Sequence, residues 1–186
     1  MKKLLLVLCL ILFLPTLAQA QIYKNAALNF QVNLPDTWLE VPPEDDTQEV
    51  FPLLIRTEEE SRAVGIIDIY IENIQAAFGD NSFPSLTEAS EAQIETMIDT
   101  LIADLKENYP DVTILSNEKT TINSLPAIVI VHSYSYTSNN KVIMVNAYWT
   151  VFIENNHLYS LKLQTDDTSN VHMNDFFKMC ESVELL

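Results

Sequence analysis

Leu125 to Gln164 reads LPAIVIVHSYSYTSNNKVIMVNAYWTVFIENNHLYSLKLQ, and its alternation decides the fold. Two long strands are expected, Leu125 to Thr137 and Val142 to Ile153. Asn139-Asn140 joins them, a pair that tolerates the positive φ of a tight hairpin. A two-residue loop there sets Tyr136 opposite Ile143, Tyr134 opposite Val145, His132 opposite Ala147 and Ile130 opposite Trp149. All of these share one apolar face, so His132 is expected in the core with a hydrogen-bond partner. The opposite face carries Ser133, Ser135, Asn146, Tyr148 and Thr150, a polar and aromatic mixture.

The next turn poses a conflict. A two-residue loop at Asn155-Asn156 pairs Trp149 with Lys162 and drives an ammonium group onto the apolar face, which is costly if the charge stays buried. A three-residue loop, Glu154-Asn155-Asn156, removes the conflict: Ile153 then pairs with His157, and Lys162 turns to the polar face near Tyr148. Asparagine tolerates the left-handed residue such a loop needs. The expectation is therefore a bulged hairpin. Ser133, Asn146, Tyr148, Thr150 and Lys162 then form a candidate ligand-binding face, suited to an anionic ligand or an acidic partner segment. The competing reading is an ordinary interface under a C-terminal helix.

Outward from this core, Ala27 to Leu34 alternates as a half-buried strand, and Trp38 to Val41 reads as a short second one. Pro42 to Glu49 reads as an exposed acidic loop. Phe51 to Thr57 and Val64 to Ile74 form a strand pair around Glu58-Glu59-Glu60-Ser61, with Ile67, Ile69 and Ile71 on one face and Ile66, Asp68, Tyr70 and Glu72 on the other. Gln75 to Pro84 reads as loop. Ser85 with Glu88 predicts a capping box and a helix from Leu86 to Asn108. Its stripe is Ile94, Met97, Ile98, Leu101, Ile102 and Leu105. Val112 to Ile122 is a further strand, His157 to Gln164 the last, and Val171 to Glu181 a short final helix. The fold class is α+β, an antiparallel sheet flanked by one long helix and a C-terminal helix. Phe30, Trp38, Ile69, Leu101, Trp149 and Phe176 are the expected core.

The first twenty residues read differently. Lys2 and Lys3 precede an apolar run from Leu4 to Leu14, then Pro15 and Ala18-Gln19-Ala20. That order marks a secretory signal cut after Ala20. The run is shorter than the ~20 apolar residues of a membrane span. Leu8 before Cys9 argues against a lipoprotein signal. The expected organisation is a signal peptide over residues 1–20 and a single domain over 21–186, periplasmic or secreted, with no transmembrane span after cleavage.

The chain has 186 residues and a net charge of −16. Loss of Lys2 and Lys3 leaves eight Lys and Arg against 26 Asp and Glu, a net charge of −18. Such a field repels nucleic acid and anionic membranes. Only Cys180 remains after cleavage, so no intramolecular disulfide forms, and its apolar setting suits a buried inert thiol. Gly65 and Gly79 are the only glycines. Phosphate loops and dinucleotide fingerprints are excluded, and turns fall to Asn, Asp and Pro. His132, His157 and His172 lack metal-ligand spacing, with the latter two expected at the surface. No Gly-x-Ser-x-Gly elbow is present. The acidic clusters Glu44-Asp45-Asp46, Glu58-Glu59-Glu60 and Asp166-Asp167 lack a calcium-loop pattern. No catalytic residue, metal or cofactor is assigned.

Leu28-Asn29-Phe30-Gln31-Val32-Asn33-Leu34-Pro35-Asp36-Thr37-Trp38 resembles the opening of PsbP-like and DcrB-like domains. The ending is similar too: Leu158-Tyr159-Ser160-Leu161-Lys162-Leu163 follows a long hairpin, and Phe176-Phe177 leads to Ser182-Val183. The resemblance spans nearly all of residues 21–186. It implies an α-β-α sandwich of the Mog/PsbP kind, whose members are mostly non-enzymatic: accessory subunits of photosystem II, Ran-binding proteins or bacterial envelope proteins. No catalytic residues come with it, and fold alone does not transfer function. The expected role is an exported, non-enzymatic accessory module that binds a protein partner in the envelope. The alternatives are a small-ligand or calcium-binding extracytoplasmic protein and a hydrolase with scattered catalytic residues.

Protein recovered from the native host is expected to begin at Gln21, with or without cyclisation of that glutamine. Intact-mass analysis checks this, and a mass that includes Met1 overturns export.

Overall fold

The computed structural model describes residues 21–41, 53–57 and 63–186. The signal segment, the acidic loop from Pro42 to Glu49 and the Glu58-Glu59-Glu60-Ser61 connection lie outside the described residues. The strands are β1 (Gln21–Asn25), β2 (Phe30–Leu34), β3 (Leu39–Val41), β4 (Leu53–Thr57), β5 (Val64–Asn73), β6 (Thr113–Ile122), β7 (Leu125–Ser138), β8 (Lys141–Glu154), β9 (His157–Thr165) and β10 (Glu184–Leu185). The helices are α1 (Ile74–Phe78), α2 (Glu91–Asn108) and α3 (Val171–Glu181). A seven-stranded sheet runs β3-β4-β5-β9-β8-β7-β6, and a three-stranded sheet runs β1-β2-β10. Every pairing is antiparallel, so the architecture is α+β.

Alternation assigns each face of the large sheet its own cover. Ile67, Ile69, Ile71, Leu161 and Leu163 point toward α3 and the small sheet, where Phe30, Phe176, Met179 and Cys180 are also buried. Phe30 stacks on Tyr159 at 5.6 Å, and Tyr159 on Phe152 at 4.6 Å. The opposite face carries Ile130, Trp149 and Val151 beneath α2, which buries Met97, Leu101 and Leu105. All six expected core residues belong to one apolar cluster.

The β7–β8 hairpin has the expected register, including His132 opposite Ala147 and Ile130 opposite Trp149. Asn139 and Asn140 have φ of 50° and 61°. The β8–β9 turn corrects the expected bulge. Glu154 pairs with His157, so the loop is Asn155-Asn156 alone, with φ of 51° and 62°. Trp149 consequently faces Lys162. Two left-handed residues make a loop whose twist matches the flanking strands, which a three-residue loop would not improve.

The long helix begins at Glu91 rather than Leu86. Ser90 and Gln93 form both halves of the capping box that the sequence suggested for Ser85 and Glu88. The reason lies upstream: Pro84 and Leu86 are tied to the β8–β9 turn, with Asn156 N–H donating to Pro84 and Leu86 N–H donating to Ile153. Backbone committed there cannot enter a helix. Within the expected loop Gln75 to Pro84, Ile74–Phe78 forms α1, capped by Asn73 accepting from the Gln75 N–H.

At α3, Asp167 accepts from the N–H groups of Ser169, Val171 and His172, filling the role of a cap. Burial raises its pKa, but these hydrogen bonds outweigh it and the net shift is downward. His172 is buried, contrary to its expected surface position. Its Nδ1 meets Thr165 Oγ1 at 2.7 Å, and its ring lies 5.2 Å from Trp38. Gly65 admits this packing. A Cβ there would lie 2.6 Å from Trp38 Cη2 and 2.7 Å from His172 Nδ1. Gly65→Ala is expected to lose about 1–3 kcal/mol of stability through overpacking, read as a lowered urea midpoint.

His132 is fully buried, as expected, but neither ring nitrogen has the hydrogen-bond partner expected for it. Burial first, then the nearby Lys162 charge, lower its pKa to about 4, with a backbone contact to Ile130 working the other way. The unfolded histidine titrates near 6.5, so between those values the unfolded chain binds the extra proton. The contribution is present above about pH 6.5 and is lost as pH falls through about 4, amounting to about 3 kcal/mol. His132→Phe should remove that slope, seen in the difference between parent and variant denaturation curves across this range.

Candidate functional site

The five residues of the expected ligand face are not brought together. Ser133, Asn146, Tyr148 and Thr150 share one face, with Ser133 paired to Asn146. That face is covered by α3: Tyr148 packs edge-on against Phe177 at 5.7 Å, and Thr150 is buried. Lys162 projects from the opposite face, because the two-residue turn aligns it with Trp149. Its Nζ lies 5.2 Å from the Tyr109 ring and 5.5 Å from the Trp149 ring. The conflict foreseen from the sequence is thus met by cation–π contact and partial exposure, with the aliphatic stem lying on apolar surface.

Lys162 opens onto a groove between β5 and α2. Asp68, Tyr70 and Glu72 form one wall, two residues apart along a strand. Thr100, Asp104 and Asn108 form the other, four apart along a helix. A strand rises about 6.6 Å over two residues and a helix about 6 Å over four, so the two polar lines advance nearly in step. Trp149, Leu158, Ser160 and Lys162 make the floor, and Ala77 and Phe78 of α1 line one end. The end nearer α1 encloses about 340 Å³, and the end nearer Tyr109 about 330 Å³. Tyr70, Asp104, Trp149 and Ser160 line both.

The floor is held rigidly. Trp149 Nε1–H donates to Ser160 Oγ at 2.6 Å. Tyr109, just past the last turn of α2, stacks on Tyr134 at 4.2 Å and accepts from Gln164 Nε2 at 3.3 Å. These contacts pin the two rings that sandwich the ammonium. The walls are acidic. Partial burial raises the Asp68 pKa, partly offset by Lys162, its partner across β5 and β9. Burial also raises the Glu72 pKa, partly offset by the hydroxyl of Tyr70, which donates to Glu72 Oε2 at 3.3 Å. Among the described residues, no three His, Cys, Asp or Glu side chains gather closely enough to hold a metal ion. Cys180 is buried, its pKa raised to about 12 by that burial.

Sequence reasoning grouped Asp68, Tyr70 and Glu72 on one strand face but found no site there. Thr100, Asp104 and Asn108 carried the signal of four-residue spacing. Neither pattern says that the two lines face each other.

No family model matches the sequence, and no curated protein matches it. Solved structures do match. Cyanobacterial PsbP from Synechocystis sp. PCC 6803 superposes with a TM-score of 0.58 at 12% identity, covering 92% of this chain and 95% of that one. LpqN of Mycobacterium tuberculosis, described as involved in cell envelope biogenesis, gives a TM-score of 0.48 at 15% identity over 83% of this chain and 81% of its own. At these identities the likeness concerns the fold, and the first superposition spans nearly the whole of both chains. The chain is a PsbP-like domain in its fold.

Proposed function

We propose that this chain is an exported accessory domain of the cell envelope that works by docking a partner protein in the groove between β5 and α2. The observation that carries this reading is the groove itself. Tyr70, Phe78 and Trp149 line it, together with carboxylate, amide and hydroxyl groups on facing walls. That is recognition chemistry: apolar contact on the floor and directional polar contact at the rim. Ser160 lies in the groove, but its oxygen already accepts the Trp149 indole N–H. Export rests on the pattern of residues 1–20. No helix among the described residues is long and apolar enough to cross a membrane. The PsbP resemblance, which implies accessory roles without chemistry, supports the same reading.

A photo-crosslinking amino acid in place of Tyr70, introduced in the native host, tests it. Tyr70 is 45% exposed on the groove wall. The expected result is a discrete adduct from position 70 and none from position 136, an exposed tyrosine on the β7–β8 hairpin. Adducts from position 136 alone, or from neither position, overturn the proposal.

A further inference from the structure

We infer that the groove receives an arginine or lysine side chain from a basic segment of its partner, with the cationic head between Glu72 and Asp104 above the Trp149 ring. The inference rests on the docking reading above and names its chemistry. The end of the groove nearer α1 has the shape such a side chain needs. Ala77, Leu101 and Leu158 offer an apolar lining to an aliphatic stem, and Glu72 and Asp104 supply carboxylates from the two walls. Tyr70, Phe78 and Trp149 line the same end. Cations are attracted to ring faces and to carboxylates alike, and a planar guanidinium uses both at once.

The other end of the same groove already shows this mode of binding. There the chain's own Lys162 ammonium sits between Tyr109 and Trp149, opposite Asp68. Trp149 lines both ends, so one indole serves the internal cation and the incoming one. Charge points the same way. Asp68, Glu72 and Asp104 outnumber Lys162 in the lining, and the whole chain carries −16. An anionic partner would meet Lys162 only where its charge is already enclosed by two rings and faced by a carboxylate. Partial burial of Glu72 leaves its carboxylate short of solvation, which favours an arriving cation over water.

The test is NMR titration of the exported protein with Nα-acetyl-arginine amide, against the neutral citrulline counterpart and Nα-acetyl-glutamate amide. The two tryptophans give an internal control. Trp38 lies away from the groove, its Nε1–H donating to Asp175 on α3. The arginine probe is expected to produce a saturable shift of the Trp149 indole resonance while Trp38 stays still, and the other two probes to produce none. Glu72→Gln with Asp104→Asn should weaken binding by about tenfold or more, the scale of losing charge-assisted contacts. Glu118→Gln, on the edge strand β6, should change it by less than about twofold, since exposed distant charges are screened. Absence of a saturable shift, an equal response to citrulline or glutamate, or equal weakening by Glu118→Gln overturns the inference. If the probe fails while crosslinking from position 70 persists, the basic ligand class falls and groove docking stands. If both fail, the docking reading falls as well.

Discussion

The Asn155-Asn156 turn sets Trp149 directly against Lys162, and the arrangement of the large sheet follows from that pairing. Side chains alternate across a strand, so a one-residue slip would move every side chain of β9 to the other face. In the observed register Leu161 and Leu163 enter the layer shared with α3 and the small sheet, while Ser160 and Lys162 enter the layer under α2. The slipped register would relieve one ammonium group but take Tyr159, Leu161 and Leu163 out of the layer they fill. Burying each of those is worth roughly 1.5–3 kcal/mol. A partly exposed lysine beside two rings costs far less than a buried bare charge, because cation–π attraction offsets part of its lost hydration.

The same pairing gives the two faces different characters. Under α3 and the small sheet the packing is tight, with Phe30, Tyr159 and Phe152 stacked in series and Gly65 allowing Trp38 and His172 to reach the sheet. Arg56 and Trp38 both donate to Asp175, tying β4 and the β2–β3 turn to the first half of α3. Under α2 the cover is narrower than the sheet. The row Asp68, Tyr70, Glu72 on β5 faces Thr100, Asp104 and Asn108 of α2 across an open groove. The groove is the consequence: among the described residues a seven-stranded sheet is wider than α2, and α1 reaches only one end of the gap.

Among the described residues asparagine, with Ser124, replaces glycine at nearly every left-handed position. Asn29, Asn123, Asn139, Asn140, Asn155, Asn156 and Asn170 all have positive φ, and among the glycines only Gly79 does. Its side-chain amide makes the left-handed region tolerable for asparagine, so tight hairpins form without the greater chain entropy of glycine. Gly65 serves for lack of bulk rather than for backbone freedom.

The sequence by itself determined what depends on neighbours along the chain. The alternation of β2, β5, β7 and β8, the Asn139-Asn140 turn with its whole register, the apolar stripe of α2 and the placement of α3 were all legible. Each is set by local periodicity and backbone preference. Tertiary structure decided the rest. It moved the start of α2 from Leu86 to Glu91, because the β8–β9 turn holds Pro84 and Leu86 by backbone hydrogen bonds. It buried His172 through the close approach at Gly65. It turned Lys162 onto the Trp149 face, since the penalty foreseen for that charge depended on whether rings and a carboxylate would surround it. Tyr109 is 53 positions from Lys162 in the chain and Asp68 is 94 away, so no local pattern announced either. The groove has the same origin: its walls come from a strand and a helix that meet only once the sheet has formed.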